Sequence, residues 1–228
     1  MSDSVLALHA IQTRIAEAIT AAHRARNAVQ LIAVSKTFEA VKIEPVLTAG
    51  QKVFGENRVQ EAQQKWPQLR QQYGVVDLHL IGPLQTNKVK EAVALFDVIQ
   101  TVDRPKLVSA LAREVQKTGA KTQFYIQVNT GREPQKAGVL PEDFENFMAA
   151  AKTELGNHIV GLMCIPPAHE DPRPHFQLLR AMAEAQNISC LSMGMSADFE
   201  IAVAEGATHV RVGSAIFGSR PKPEAIVI

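Results

Sequence analysis

Residues 31–36 read LIAVSK, and residues 37–40 continue TFEA. A short, continuous apolar run of this kind suits a strand buried on both faces, as in a parallel sheet. Lys36 then stands where a buried strand meets its loop, an unusual place for an ammonium group. Runs of the same character recur along the chain: KVFGEN at 52–57, LHLIG at 78–82, DVIQTVD at 97–103 and FYIQVN at 124–129. IVGLMCIP at 159–166, ISCLSMG at 188–194 and THVRVG at 208–213 complete the series.

Helical patterns fill the gaps. In DRPKLVSALAREVQKTG, Asp103 is the expected N-cap, Pro105 falls in the first turn and Gly119 lies just past the end. LPEDFENFMAAAKTEL has an early proline at Pro141, and PHFQLLRAMAEAQ and SADFEIAVAEG follow. Ahead of the first strand, Leu8, Ile11, Ile15 and Ile19 form one helical stripe. Eight strands alternating with helices predict an α/β protein of the (β/α)8 TIM-barrel class, with an extra N-terminal helix. A doubly wound open sheet is the competitor, but no G-x-G-x-x-G follows the first strand. No linker or low-complexity tract marks a boundary, and the tail RPKPEAIVI leaves little room for more. One domain over residues 1–228 is expected.

The bulk numbers narrow the function. The chain has 228 residues, 46% hydrophobic and 21% charged, with 24 basic against 23 acidic residues and a net charge of +1. That near-balance argues against nucleic acid or a membrane surface as the main partner. The start, MSDSVLALHAIQTRIAEAI, lacks the basic-then-apolar layout of a signal peptide. Cys164 and Cys190 lie inside apolar runs and read as buried thiols, with neither a disulfide framework nor zinc spacing. A cytoplasmic protein is expected.

Barrels of this kind place their chemistry at the C-terminal strand ends, and here those ends are polar. They carry Lys36, then Glu56, Asn57 and Arg58, then GPLQTNK, then Gln127 and Asn129, then SMGMS and RVGSAIFG. Polar loops are ordinary, and a lysine can snorkel to solvent. A partly desolvated lysine, however, is more often a neutral amine and can form a Schiff base with a carbonyl. Two chemistries are then open: a lyase working through its own lysine, or an anchored pyridoxal 5'-phosphate (PLP). Loops after the seventh and eighth strands of barrels often bind phosphate. In this chain they hold Ser196, expected to cap a helix, together with Gly213 and Ser214. Arg211 lies two residues before Gly213 and points the same way. It could meet a pyridine nitrogen, or else pair with Glu56.

Taken together, AVSKT, FGENRVQE, HLIGPLQTNK, QVNTGREPQKAGV, GLMCIPP and LSMGMSADFEIAVAEGATHVRVGSAIFG resemble the pyridoxal phosphate homeostasis proteins. These are single-domain relatives of the alanine racemase N-terminal barrel. Thr86, where serine is also usual, is a minor departure. The resemblance implies PLP held as a covalent aldimine on Lys36, with phosphate at Ser196, Gly213 and Ser214. It puts Arg211 near the pyridine nitrogen and Asn57 beside the ring. The implied role is PLP carriage and vitamin B6 homeostasis without robust catalysis, with apo PLP-dependent enzymes as possible recipients and a monomeric state.

The rival is a weak PLP-dependent amino-acid racemase. Racemisation by two bases needs a second base opposite the lysine, which alanine racemases take from a tyrosine of an additional domain. The tyrosines of this chain are Tyr73, in the stretch entering the third strand, and Tyr125, at the start of the fifth. Neither is expected beside Lys36.

Overall fold

The computed structural model describes residues 2–218, so the tail at 220–228 lies outside the described residues. Eight parallel strands close into a barrel in chain order. They are β1 Gln30–Val34, β2 Val53–Glu56, β3 Asp77–Leu80 and β4 Val98–Val102, then β5 Gln123–Val128, β6 Ile159–Cys164, β7 Cys190–Met195 and β8 His209–Val212. The seam is the β1–β8 pairing, with Ile32 opposite Arg211. A helix follows each strand: α2 Ala40–Thr48, α3 Val59–Tyr73, α4 Val89–Leu95, α5 Pro105–Thr118, α6 Phe144–Leu155, α7 Arg173–Ala185, α8 Phe199–Ala204 and α9 Ser214–Phe217. Helix α1, Asp3–Ala21, is extra and packs on α2, α8 and α9. It buries the expected stripe of Leu8, Ile11, Ile15 and Ile19.

The strand residues are buried almost throughout, because helices cover one face and the barrel interior the other. All eight expected strands are present, with ends trimmed by a few residues. Three helix starts differ from expectation. The N-cap of α5 is Arg104, not Asp103, with φ −154° and ψ 150°. Pro105 at the first helical position holds its predecessor extended, so the cap falls immediately before it. Asp103 instead accepts from Arg104 Nη1 at 2.7 Å. Pro141 opens a 3-10 turn to Asp143, and α6 begins at Phe144. Ser196 caps nothing, since α8 starts at Phe199 behind Asp198. Gly194, at φ +89°, turns the chain sharply, and Met195 N donates to Asp198 Oδ1 at 2.6 Å. This turn takes up Ser196 before the helix begins. A side chain on Gly194 would also run into Ala202 Cβ at 2.5 Å.

The barrel interior is polar at its N-terminal mouth. Asp77, His79, Tyr125 and His209 gather there, with Tyr125 Oη 3.4 Å from His209 Nδ1 and the His79 and His209 rings 6.1 Å apart. Burial drives the His209 pKa down to about 4, helped by His79 and Arg211 and opposed by Asp77. The folded protein therefore resists a proton that the unfolded chain takes up near its ordinary value of 6.5. Stability from this group is full above that value and is lost as pH falls towards 4, by about 3 kcal/mol at most. Denaturant unfolding at stepped pH should show this loss in the native chain. A His209→Asn variant should lack that part of the slope, and an unchanged slope would remove His209 as its source.

Candidate functional site

Lys36 lies two residues past β1, half-buried, and the loop that presents it is tied down from below. Thr37 has φ +67°, a left-handed conformation that a β-branched residue adopts only under constraint. Its amide donates to Glu61 Oε1 at 2.6 Å. Lys65, one turn along α3 from Glu61, supplies the rest. Its Nζ donates to the carbonyls of Ser35 and Phe38, each at 3.0 Å, and to Glu61 Oε1 at 2.9 Å. It also pairs with Glu56 Oε1 at 2.9 Å, and the two side chains are 8% and 0% exposed. The same oxygen accepts from Ser35 Oγ at 2.6 Å and from Trp66 Nε1 at 3.0 Å. Burial raises the Glu56 pKa, and Lys65 and these donors oppose the rise. Sequence reasoning singled out Lys36 and passed over Lys65. The available signal was its position among Ala62, Trp66 and Leu69, on the buried face of α3.

The six residues singled out as binding candidates line one cavity of about 310 Å³: Lys36, Asn57, Ser196, Arg211, Gly213 and Ser214. That volume lies within the range of small-molecule sites. Its apolar wall, which the sequence reading did not name, includes Val34, Phe38, Ile81, Ile165 and Met195. Gly213 lies against β1, where an added Cβ would meet the Val34 carbonyl oxygen at 3.1 Å. The hydroxyls of Ser196 and Ser214 are 3.4 Å apart. Gly82 packs against the Asn57 backbone, where an added Cβ would strike the Asn57 carbonyl oxygen at 2.3 Å. Arg211 is buried, and burial lowers its pKa. Its Nη1 donates to Ser192 Oγ and its Nη2 to the Cys164 carbonyl, both at 2.8 Å. It is thus not the partner of Glu56.

Other polar strand ends have structural work. Gln127 Nε2 donates to the Ala137 carbonyl at 3.0 Å and Asn129 Nδ2 to the Glu133 carbonyl at 2.8 Å, stapling the loop after β5. Cys164 is fully buried and its thiol is pushed up to about 12 by burial, whereas Cys190 is only partly buried. Tyr73 ends α3, and Tyr125 lies within β5 at the opposite mouth, so neither lines the cavity.

Among the described residues, the cavity lining carries an ammonium, a guanidinium, two hydroxyls and an amide, and no carboxylate. Such a donor set suits a small anionic ligand with an electrophilic end near Lys36. The residues therefore fit PLP: cations at two points, hydroxyls at a third, and apolar walls for a flat ring.

The family model for the alanine racemase N-terminal domain matches residues 6–221. A pyridoxal phosphate homeostasis protein of Aquifex aeolicus is 39% identical, over 93% of this chain and 96% of its own length. One from Escherichia coli K12 is 37% identical, over 96% and 98%. Among solved structures, PipY of Synechococcus elongatus with PLP bound superposes with a TM-score of 0.78 at 37% identity, covering 90% of this chain and all of that one.

Replacing Lys65 with Met leaves the Glu56 charge buried without its partner. A change of this kind costs about 3 to 5 kcal/mol. Adding Glu56→Gln removes the stranded charge and should recover part of the loss in chemical denaturation. If Glu56→Gln recovers nothing, Lys65 works through the loop carbonyls instead.

Proposed function

The chain belongs to the alanine racemase N-terminal domain family and, within it, to the pyridoxal phosphate homeostasis proteins, and from that premise we propose that it binds and hands on PLP. The observation that carries this reading is the meeting of Lys36, Arg211 and the paired hydroxyls of Ser196 and Ser214 in one cavity whose described lining has no carboxylate. PLP supplies an aldehyde, which Lys36 Nζ takes up as a Schiff base with loss of its oxygen as water. Ser196, Gly213 and Ser214 hold the phosphate. Asn57 lies beside the ring. Arg211 faces the pyridine nitrogen.

The reading favours holding over turnover. An arginine remains protonated and only donates, so it leaves a ring nitrogen without a proton of its own and makes the ring a weak electron sink. No described tyrosine lines the cavity to act as a second base. The same reading takes the protein as one domain, monomeric and cytoplasmic, with apo PLP-dependent enzymes as recipients. No helix among the described residues is long and apolar enough to cross a membrane.

Protein loaded with PLP should show a yellow absorption band that borohydride abolishes. Peptide mass spectrometry should then find a reduced pyridoxyl adduct on Lys36. Lys36→Ala should lack both. A protein that stays colourless with added PLP would overturn the cofactor and return the lyase chemistry to consideration. Transfer to an apo-acceptor no faster than free release would remove the carrier role.

A further inference from the structure

Arg211 is the first member of a hydrogen-bonded chain that crosses the barrel. Its Nη1 donates to Ser192 Oγ at 2.8 Å, and Ser192 Oγ donates to Gln100 Oε1 at 2.6 Å. Gln100 Nε2 lies 2.7 Å from His79 Nδ1. His79 Nε2 lies 3.2 Å from Asp77 Oδ1, close but angled away from a linear bond. Gln100 is on β4 and Ser192 on β7, which are not neighbours in the barrel, so their bond spans the interior. The chain runs from the ligand cavity to the opposite mouth.

The direction of each bond is forced by the one before it. A guanidinium only donates, so Ser192 Oγ accepts from it and spends its single proton on the Gln100 carbonyl. That turns the Gln100 amide towards His79, whose Nδ1 must then be the bare nitrogen. The imidazole proton is left on Nε2, facing Asp77. No donor meets a donor along the chain.

The bland alternative is a set of satisfied core residues. Three observations weigh against it. Interiors of such barrels are normally filled by layers of Val, Ile and Leu, yet Ser192, Gln100 and His79 are at most 1% exposed. Gln100 lies within the register shift between Ile99 and Val102, and Ser192 borders the one between it and Met195. Bulges of this kind re-aim side chains next to functional sites. The chain also ends on a guanidinium that lines the cavity.

We propose that Ser192, Gln100 and His79 are positioning residues that set the orientation of the Arg211 guanidinium in the cavity. The proposal rests on the reading of Arg211 as the residue facing the cofactor ring. Its distinctive consequence is reach. A change at His79, remote from the cavity, alters how the ligand is held, because an uninterrupted set of bonds carries it.

Nitrogen-15 NMR of the Arg211 guanidinium in ligand-free protein tests the positioning directly, and PLP titration by absorbance tests its effect. In the native chain the Arg211 Nη signals should be separate, because rotation is restricted. They should merge in Ser192→Ala, Gln100→Leu and His79→Leu. Ser192→Ala should weaken PLP binding about tenfold, the loss of roughly one net hydrogen bond, and move the bound absorption band. Placed in an Arg211→Gln background, Ser192→Ala should add nothing further. Native Arg211 signals with native affinity and spectrum in all three variants would make these residues core filler and overturn the proposal. If Gln100→Leu or His79→Leu does not fold, Ser192→Ala, which deletes one oxygen atom, decides the matter alone. If the native chain binds no PLP while the Arg211 signals still respond, the cofactor reading falls and the positioning stands.

Discussion

The pocket depends on an ammonium group that does not line it. Lys65 is buried between α3 and the end of β1, and each direction in which its Nζ can donate is used. Two of its acceptors are main-chain carbonyls on either side of Lys36. A buried ammonium tolerates its loss of water only when its bonds are made in full. The residues supplying them are therefore held in place as firmly as the lysine itself. This lets Thr37 persist in the left-handed region and carries Lys36 over the cavity. The Glu56–Lys65 pair need add little to net stability to have this effect, because its contribution is conformational definition.

The second constraint is barrel closure. The β1–β8 seam sets Ile32 beside Arg211 and lays Gly213 against Val34. Lys36 comes from one side of that seam, and Arg211 and Ser214 from the other. The Lys36 amine and the turn at Gly213 and Ser214 are thus neighbours through strand pairing, although they are distant in sequence. Ser196, from the end of β7, completes the group because β7 pairs with β8.

This explains which parts were legible in the sequence. The strands were readable because burial on both faces writes itself as continuous apolar runs, and the α1 stripe because a helix on a barrel has one buried side. The cavity residues were readable because a barrel sends its strand ends to one rim, so polar residues at those ends gather whatever the loop details. Helix starts were less legible. Asp103 and Ser196 carry the chemistry of caps, but Pro105 and Gly194 dictate the backbone around them and move the cap elsewhere. Lys65 escaped notice because a lysine in a helix is ordinary by composition. Only its register with Ala62 and Trp66 places it inward. The Gln100–Ser192 bond could not be read at all, since it joins two strands across the interior and depends on bulges that leave no mark in the apolar pattern.

The two polar systems divide the work of one pocket. Lys65 and Glu56 act outside the barrel wall, between strand and helix, and define where the Lys36 amine stands. The chain from His79 to Arg211 lies inside the wall and, as proposed, defines how the guanidinium is turned. A site that only needed to attract an anion could use exposed cations at far lower cost in desolvation. Burying both supports makes sense where geometry matters more than charge. On the proposed reading, a cofactor held at one end by Lys36, with Arg211 at its ring nitrogen, would set that requirement. Lys65 ties down the loop that carries the Lys36 amine and Ser192 braces the Arg211 guanidinium, so both cations of the cavity are set from outside its lining.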